Sequence, residues 1–471
     1  MSTTALPRPS HAATTYGPRH PWWGLAALAL PILMVGIDVG AVFLALPALS
    51  ADLGAGPVAQ LWVVDVYGFA LAAFLVTMGG LGDRVGRRRL LLIGASAFAV
   101  LSVAAAYAPT VEALIATRAL LGVAGAALGP AAVGLIAELF PDHARRARAI
   151  SVWAACQFGG AVLGPVVGGR LLEQFWWGSV FLLGLPVMLL LLAVGRRVLP
   201  AGAGSGRQSP ARLDLVSVGL SLAAVVGLVQ AVKAVSTGAP LAAVLLPALV
   251  GVTAAACFAR RQLGLADPLL DLRAFGGTGA GPLLAAMLTG SAALAGVSFL
   301  ATQYLQTQLG LGPADAGLWQ APTGLGIAAG VLAAPAVGRR LGPVPGIAAG
   351  LATGAAAYVL LAVAGQAVPA PVVVCLALAA AAFAAGPLFV LGTGAVLGSV
   401  APERAGAAGS LTETSNELGS TLGIAVFGSV AAAGADGAGL GGGLPVAAVA
   451  AGVITAAAGA ALLTRQAGTA R

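Results

Sequence analysis

Four carboxylates stand inside stretches of sequence that are otherwise apolar: Asp38, Asp65, Glu413 and Glu417. One guanidinium, Arg118, has similar surroundings. An ionised side chain near the middle of a lipid bilayer costs about 2.5 to 3.5 kcal/mol on insertion scales, so such groups face a partner or a water-filled cavity. Burial favours a neutral carboxyl and a nearby cation favours the carboxylate, so one acid can hold either a proton or a cationic ligand. Glu413 and Glu417 are spaced i, i+4 on one helix face, where two close carboxylates do not both ionise in an empty cavity. Asp65 lies roughly 9 Å from the end of its apolar run, whereas Asp38 is nearer the middle of its own. That placement gives proton exchange to Asp38 first, and cation recognition to Asp65 and Glu413, with Glu417 beside them. Arg118 is open to three roles: pairing with a membrane acid, binding an anion, or relaying charge. Trp153, Phe158, Phe299, Tyr304 and Trp319 are candidates for an aromatic wall, since ring faces attract desolvated cations.

The elements that position these groups follow from composition. Apolar residues make up 59% of the 471 positions and charged residues 8%, with mean hydropathy +0.97, against roughly 25% charge in a soluble domain. That balance excludes a water-soluble fold. Apolar runs bounded by Gly, Pro and charge predict helices over 25–47, 59–81, 89–107, 112–136, 147–169, 177–195 and 214–234. Seven more follow over 241–259, 281–305, 316–337, 345–365, 371–398, 405–432 and 444–463. The fold class is therefore all-α and integral to a membrane, with fourteen transmembrane helices.

Arginines test this count, because cytoplasmic loops hold the Lys and Arg excess. With the N-terminus inside, the clusters Arg87 to Arg89, Arg145 to Arg148, Arg196–Arg197, Arg260–Arg261 and Arg339–Arg340 all fall on the cytoplasmic side. Only Arg118, Arg170 and Lys233 do not. Both termini are expected in the cytoplasm. Trp22 and Trp23 are then placed at the inner interface, and Trp62, Trp176 and Trp177 at the outer one. Ala48 to Ala51 resembles a signal cleavage site, but the apolar run before it is too long for a signal peptide and carries Asp38, so it reads as a retained first helix.

The net charge of +8 does not point to nucleic acid, because the basic residues sit in short loops between apolar runs. Cys156, Cys257 and Cys375 lack CxxC spacing, and His11, His20 and His143 are not clustered, so no metal site is expected. No phosphate-binding GxxxxGK[ST] loop and no nucleophile–base pair argues for ATP use or an enzyme. Phe140 to Gly169 aligns with Ala401 to Gly428, so that Gly160, Gly164 and Gly169 meet Gly419, Gly423 and Gly428. The repeat predicts a cytoplasmic tail over 1–21, six-helix bundles over 22–200 and 263–471, a linker over 201–212 and an inserted helix pair over 213–262. Gly160, Gly164 and Gly168 follow small-xxx-small spacing, which predicts close approach to a helix of the other bundle.

The sharpest local pattern runs from Gly79 through Asp83, Arg84, Gly86, Arg87 and Arg88. Its glycines suit a tight turn between helices, and its arginines suit anchoring to an anionic inner surface. These residues resemble the signature loop of the major facilitator superfamily. Leu114 to Gly122, containing Arg118, resembles that family's fourth-helix motif, and Gly160 to Gly169, with Gly164, Pro165 and Gly168, resembles its fifth-helix antiporter motif. Within it the chain is similar to fourteen-helix drug:proton antiporters, particularly exporters of quaternary ammonium compounds, on Asp38, Gln60 to Tyr67, Leu172 to Phe175 and Leu411 to Gly419.

The resemblance implies a multi-pass exporter of the bacterial inner membrane. It would act as a monomer, exchanging protons for amphipathic or cationic small molecules, with the proton gradient in place of a cofactor. It assigns Arg118 and Glu413 to coupling with Asp38, and Trp62 and Tyr67 to the substrate site with Asp65, Glu413 and Glu417. Gly40 and Phe43 depart from the polar residues usual in the first-helix motif, and Leu121 from a glutamine in the fourth. Dedicated export of one endogenous metabolite is the alternative reading.

Overall fold

In lipid, a chain this apolar must satisfy its backbone groups internally, and a helix does so within one segment. The computed structural model describes residues 21–200, 214–236, 239–265, 280–367, 371–399, 405–433 and 443–469, which form helices and no strand. The first eight helices are α1 (Pro21–Leu53), α2 (Pro57–Val85), α3 (Arg87–Ala106), α4 (Val111–Ala126), α5 (Leu128–Leu139), α6 (His143–Gln174), α7 (Ser179–Leu182) and α8 (Gly184–Val198). A pair follows, α9 (Leu215–Ser236) and α10 (Leu241–Gly264). The last six are α11 (Ala280–Thr307), α12 (Pro313–Leu341), α13 (Pro343–Ala367), α14 (Pro371–Gly398), α15 (Ala405–Ala433) and α16 (Leu444–Thr469).

Between α4 and α5 only Ala127 intervenes, and between α7 and α8 only Leu183, both with right-handed helical dihedrals. Each predicted apolar stretch therefore coincides with one helix or one such collinear pair, apart from its ends. Eleven stretches among the described residues are long and apolar enough to cross a membrane. The predicted tail and linker lie almost wholly outside the described residues.

Packing repeats with the sequence. α1 packs along α6 as α11 packs along α15, and each of these layers is closed by a helix from the other set, α12 on α6 and α2 on α15. Glycine makes the approach possible. A Cβ on Gly160 or Gly164 would strike the Leu33 or Ile37 carbonyl of α1, and one on Gly419 or Gly423 would strike the Leu288 or Ala292 carbonyl of α11. The structure thus corrects the expected partner of the small-residue stripe: Gly160, Gly164 and Gly168 face α1 of their own set. The other face of the helix meets the other set, where Gly169 sits against Pro313 and Ala314.

α6 also runs unbroken through Pro165. The pyrrolidine lies over Gly40, whose Cβ would sit 2.8 Å from the Pro165 Cδ, so the departure at Gly40 has a packing cause.

The segment read as a loop at 82–88 is helical except at Gly86, since α2 continues to Val85 and α3 starts at Arg87. Gly86 has φ +98, a left-handed value that glycine adopts without a Cβ penalty. Arg87 donates to the Gly134 carbonyl at 3.1 Å and pairs with Glu138 at 3.3 Å. Arg88 donates to the Leu199 carbonyl at 3.2 Å. Both arginines staple α3 to neighbouring helices, a role beyond the expected anchoring to lipid. Asp83 and Arg84 lie in the last turn of α2.

Trp22 and Trp23 are exposed, as an interfacial belt requires, but Trp177 is buried and donates to Asp52 at 2.6 Å. α9 and α10 pack chiefly on one another, α9 also touching α2 and α15. α10 turns Leu241, Leu245, Leu246 and Leu249 outward. The pair is pinned at one end by Asp214, which accepts from Arg261 Nε and Nη2 at 3.0 and 2.9 Å and from Ser217 Oγ at 2.5 Å. Buried Gln262 donates to that Ser217 hydroxyl at 2.7 Å. These donors, Arg261 foremost, hold the Asp214 carboxyl down at about 2.

Candidate functional site

Asp38 lies midway along α1, and Arg118 on α4 reaches it with Nη1–Oδ2 at 2.7 Å. Arg118 is 2% exposed and Asp38 13%, so the pair is deeply set, with the carboxylate on the more open side. The guanidinium has further support. Its Nε donates to the Val63 carbonyl at 3.1 Å, and it sits over the Tyr67 ring at 4.6 Å and the Phe181 ring at 5.7 Å. Cation–π contacts of this kind contribute about 2 kcal/mol when desolvated.

Two glycines one turn apart bring Arg118 this close. A Cβ at Gly122 would strike the Tyr67 carbonyl and come within 2.8 Å of Ala70 Cβ, and one at Gly125 would lie 3.0 Å from the Tyr67 hydroxyl. With Cβ atoms there, α4 could not seat on α2. The motif around Arg118 therefore contains both the charge and the close contact that aims it.

Tyr67, assigned from resemblance to the substrate, is buried beneath Arg118, and its hydroxyl has no hydrogen-bond partner among the described residues. Its ring lies beneath the guanidinium that Asp38 pairs with, and the next residue, Gly68, packs on Thr421 of the other set, one turn from Glu417. Asp65 is fully buried on α2, while Trp62 on the same helix is half-buried. Glu413 and Glu417 are half-buried on α15. Gln157 on α6 approaches Glu413 across the two sets with Nε2–Oε1 at 3.5 Å. Next to Glu417, Asn416 accepts from the Ser291 hydroxyl at 3.1 Å.

At one end of the molecule the two sets meet closely. Phe43 packs edge-on against Phe299 at 5.3 Å, and Gln303 donates to the Phe43 carbonyl at 2.9 Å. A Cβ on Gly317 of α12 would strike the Pro165 carbonyl of α6, and one on Gly428 of α15 would strike Leu61 of α2. These contacts lie toward the C-terminal ends of α1, α6, α11 and α15 and the N-terminal ends of α2 and α12. The arginine clusters at 87–89 and 145–148 lie at the opposite end. Phe43, a departure from the usual motif, is a seam residue here.

Phe299 and Trp153 are buried, so the expected aromatic wall contributes packing at both positions. Sequence reasoning missed Gln157, Gln303, Gly125, Phe181 and Gly317. The two glutamines carried a signal, being amides in apolar helices; the others carried none until their neighbours were known.

Two repeated helical sets closed on each other at one end, with a buried ion pair beneath the seam, define an all-helical membrane protein of the transporter class. The chain belongs to the Major Facilitator Superfamily, whose profile matches residues 28–424. It is similar to the multidrug efflux pump LfrA of Mycolicibacterium smegmatis, at 38% identity over 91% of this chain and 84% of that protein. The methyl viologen resistance protein SmvA of Salmonella typhimurium is 35% identical over 86% of this chain and 82% of its own length. Among solved structures, the peptide transporter POT superposes with TM-score 0.68 over 93% of this chain and 95% of that one. At 20% identity that likeness shows the fold alone.

Proposed function

We propose that this transporter is a proton-driven antiporter that exports amphipathic, cationic drugs across the bacterial cytoplasmic membrane. The reading has fourteen spans with both termini cytoplasmic, bundles over 22–200 and 263–471, and the pair over 213–262 inserted between them. Its seam then lies at the outer face, and the conformation is open inward.

The observation that carries the reading is the Asp38–Arg118 pair at 2.7 Å, with Arg118 over Tyr67 and Glu417 of the other set one turn from Thr421, which packs on Gly68. A proton arriving on Asp38 neutralises the acid and frees Arg118, which changes the charge balance around Tyr67 and Glu417. A cation bound at Glu413 and Glu417 has the converse effect, because it supplies the positive charge those acids otherwise lack. Competition between proton and cation in one cavity is antiport, and repacking of α1 and α11 along their glycine tracks supplies the alternation of access. The similarity to two drug-efflux and resistance proteins supports the outward direction.

The test is transport in inverted vesicles with an acid interior. Accumulation of several chemically unrelated cationic dyes, collapsing when the pH gradient is dissipated, is the expected result. Accumulation of none of them, with uptake of a single neutral natural product, would move the assignment to a dedicated metabolite exporter. Uptake that ignores the pH gradient would remove proton coupling.

A further inference from the structure

α3 and α8 pack against each other and leave an open groove of about 1280 Å³ along their outer side. Its composition is graded. At one end stand Arg88, Arg89 and Arg196, and beyond them the lining is mostly apolar, with Ile93, Val100 and Leu192, and includes Ser96, whose hydroxyl donates to the Leu92 carbonyl at 2.9 Å. Ile93 is 53% exposed and Val100 70%. From Arg88 to Val100 the helix rises about 18 Å, which matches the roughly 15 Å of hydrocarbon in one leaflet of a bilayer.

The charged end is more than a row of solvated arginines. Arg88 is fixed by its bond to the Leu199 carbonyl at 3.2 Å and a longer one to the Arg196 carbonyl at 3.5 Å, so its guanidinium is held at the junction of the two helices. The first turn of α3 opens there as well, with no described side chain capping its amides, and that end of a helix attracts anions. Three cations and a helix N-terminus head an apolar channel one leaflet deep.

We infer that this groove is a selective site for an anionic phospholipid of the cytoplasmic leaflet, its phosphate held by Arg88, Arg89 and Arg196 and one acyl chain lying over Ile93 and Val100. The inference rests on the cytoplasmic placement of the arginine-bearing ends, not on the substrate or coupling proposed above. A zwitterionic lipid offers the same chains but no net charge to the three guanidiniums, and free phosphate offers the charge without the chain. The site therefore discriminates against both.

The experiment is native mass spectrometry of the purified full-length protein in neutral detergent, titrated separately with phosphatidylglycerol and phosphatidylcholine. Phosphatidylglycerol is expected to be retained at least tenfold more tightly. Arg89→Gln with Arg196→Gln should abolish that preference, whereas Arg145→Gln with Arg148→Gln, which removes two exposed arginines away from the groove, should preserve it. Ser96→Trp keeps every arginine and fills the channel, so it should weaken retention without any charge change. Equal retention of the two lipids, equal loss in the two arginine pairs, no effect of Ser96→Trp, or displacement of the lipid by excess inorganic phosphate would each overturn the inference. Dye transport measured in parallel separates this result from the proposed function, since a failed lipid preference leaves coupled efflux intact.

Discussion

Replacing Asp38 by Asn keeps the shape of the side chain and removes its charge, which leaves Arg118 at 2% exposure without its anion. Breaking a buried pair by removing one partner costs about 3 to 5 kcal/mol. The Val63 carbonyl and the rings of Tyr67 and Phe181 remain in place, so the lower part of that range is expected. This magnitude bears on the proposed coupling, in which protonation of Asp38 would impose the same loss transiently. One charge moving through 120 mV gains about 2.8 kcal/mol and one pH unit adds 1.36 kcal/mol, together about 4 kcal/mol. Under the proposed coupling, an energised membrane would therefore supply about what is needed to open the pair.

In Asp38→Asn the pair is permanently open. Dye accumulation driven by a pH gradient in inverted vesicles should fall to background, while dye binding to purified protein stays within about threefold, or 0.65 kcal/mol. Thermal unfolding in detergent should show a destabilisation, and Arg118→Gln added to Asp38→Asn should recover part of it, since the orphaned charge is gone. Uphill accumulation by Asp38→Asn at more than half the wild-type rate would refute the coupling role. Additive destabilisation by the two substitutions would refute the energetic link between the residues.

Other expectations follow from the same geometry. Glu413→Gln should raise KM about tenfold, or 1.4 kcal/mol, for a dicationic dye and less for a monocation, with equal effects on both sinking the charge argument. Gly317→Leu places a side chain against the Pro165 carbonyl and should hold the seam apart, so that a cysteine introduced at the buried Gln303 reacts severalfold faster with an impermeant thiol reagent in intact cells. Unchanged labelling would mean that the seam is not the outer gate. The exposed Cys257 must first be removed. Asp214 is different from the intramembrane acids: with its carboxyl held at about 2, it stays ionised and its clamp is lost only as pH falls from about 4, the unfolded value, toward 2. Asp214→Asn should therefore lower the unfolding temperature equally at pH 5.5 and pH 8, and a loss confined to pH 8 would contradict this assignment.

Much of the fold was legible without coordinates, because an apolar run of about 20 residues in lipid has few alternatives to a helix. Fourteen predicted stretches coincide with helices or collinear pairs, and the aligned segments around Gly160 and Gly419 each pack on successive turns of one helix, α1 and α11. The boundaries were less legible. Polar caps extend a helix past its apolar run, as α6 does from His143 to Gln174, and hydropathy is silent about such turns. The signature at Gly79 to Arg88 identified the family, but only the structure reduced its turn to Gly86.

What the sequence by itself determined is the inventory: membrane helices, intramembrane acids, a buried arginine, and glycines at the spacing of close contact. Tertiary structure alone decided the partners. The Gly160 stripe turned to α1 and not to the opposite set, Tyr67 went beneath Arg118, and Arg88 bonded to the end of α8. The physical reason is that helical periodicity states which residues share a face, while the neighbour of that face is set by three-dimensional packing between segments as far apart as residues 38 and 118.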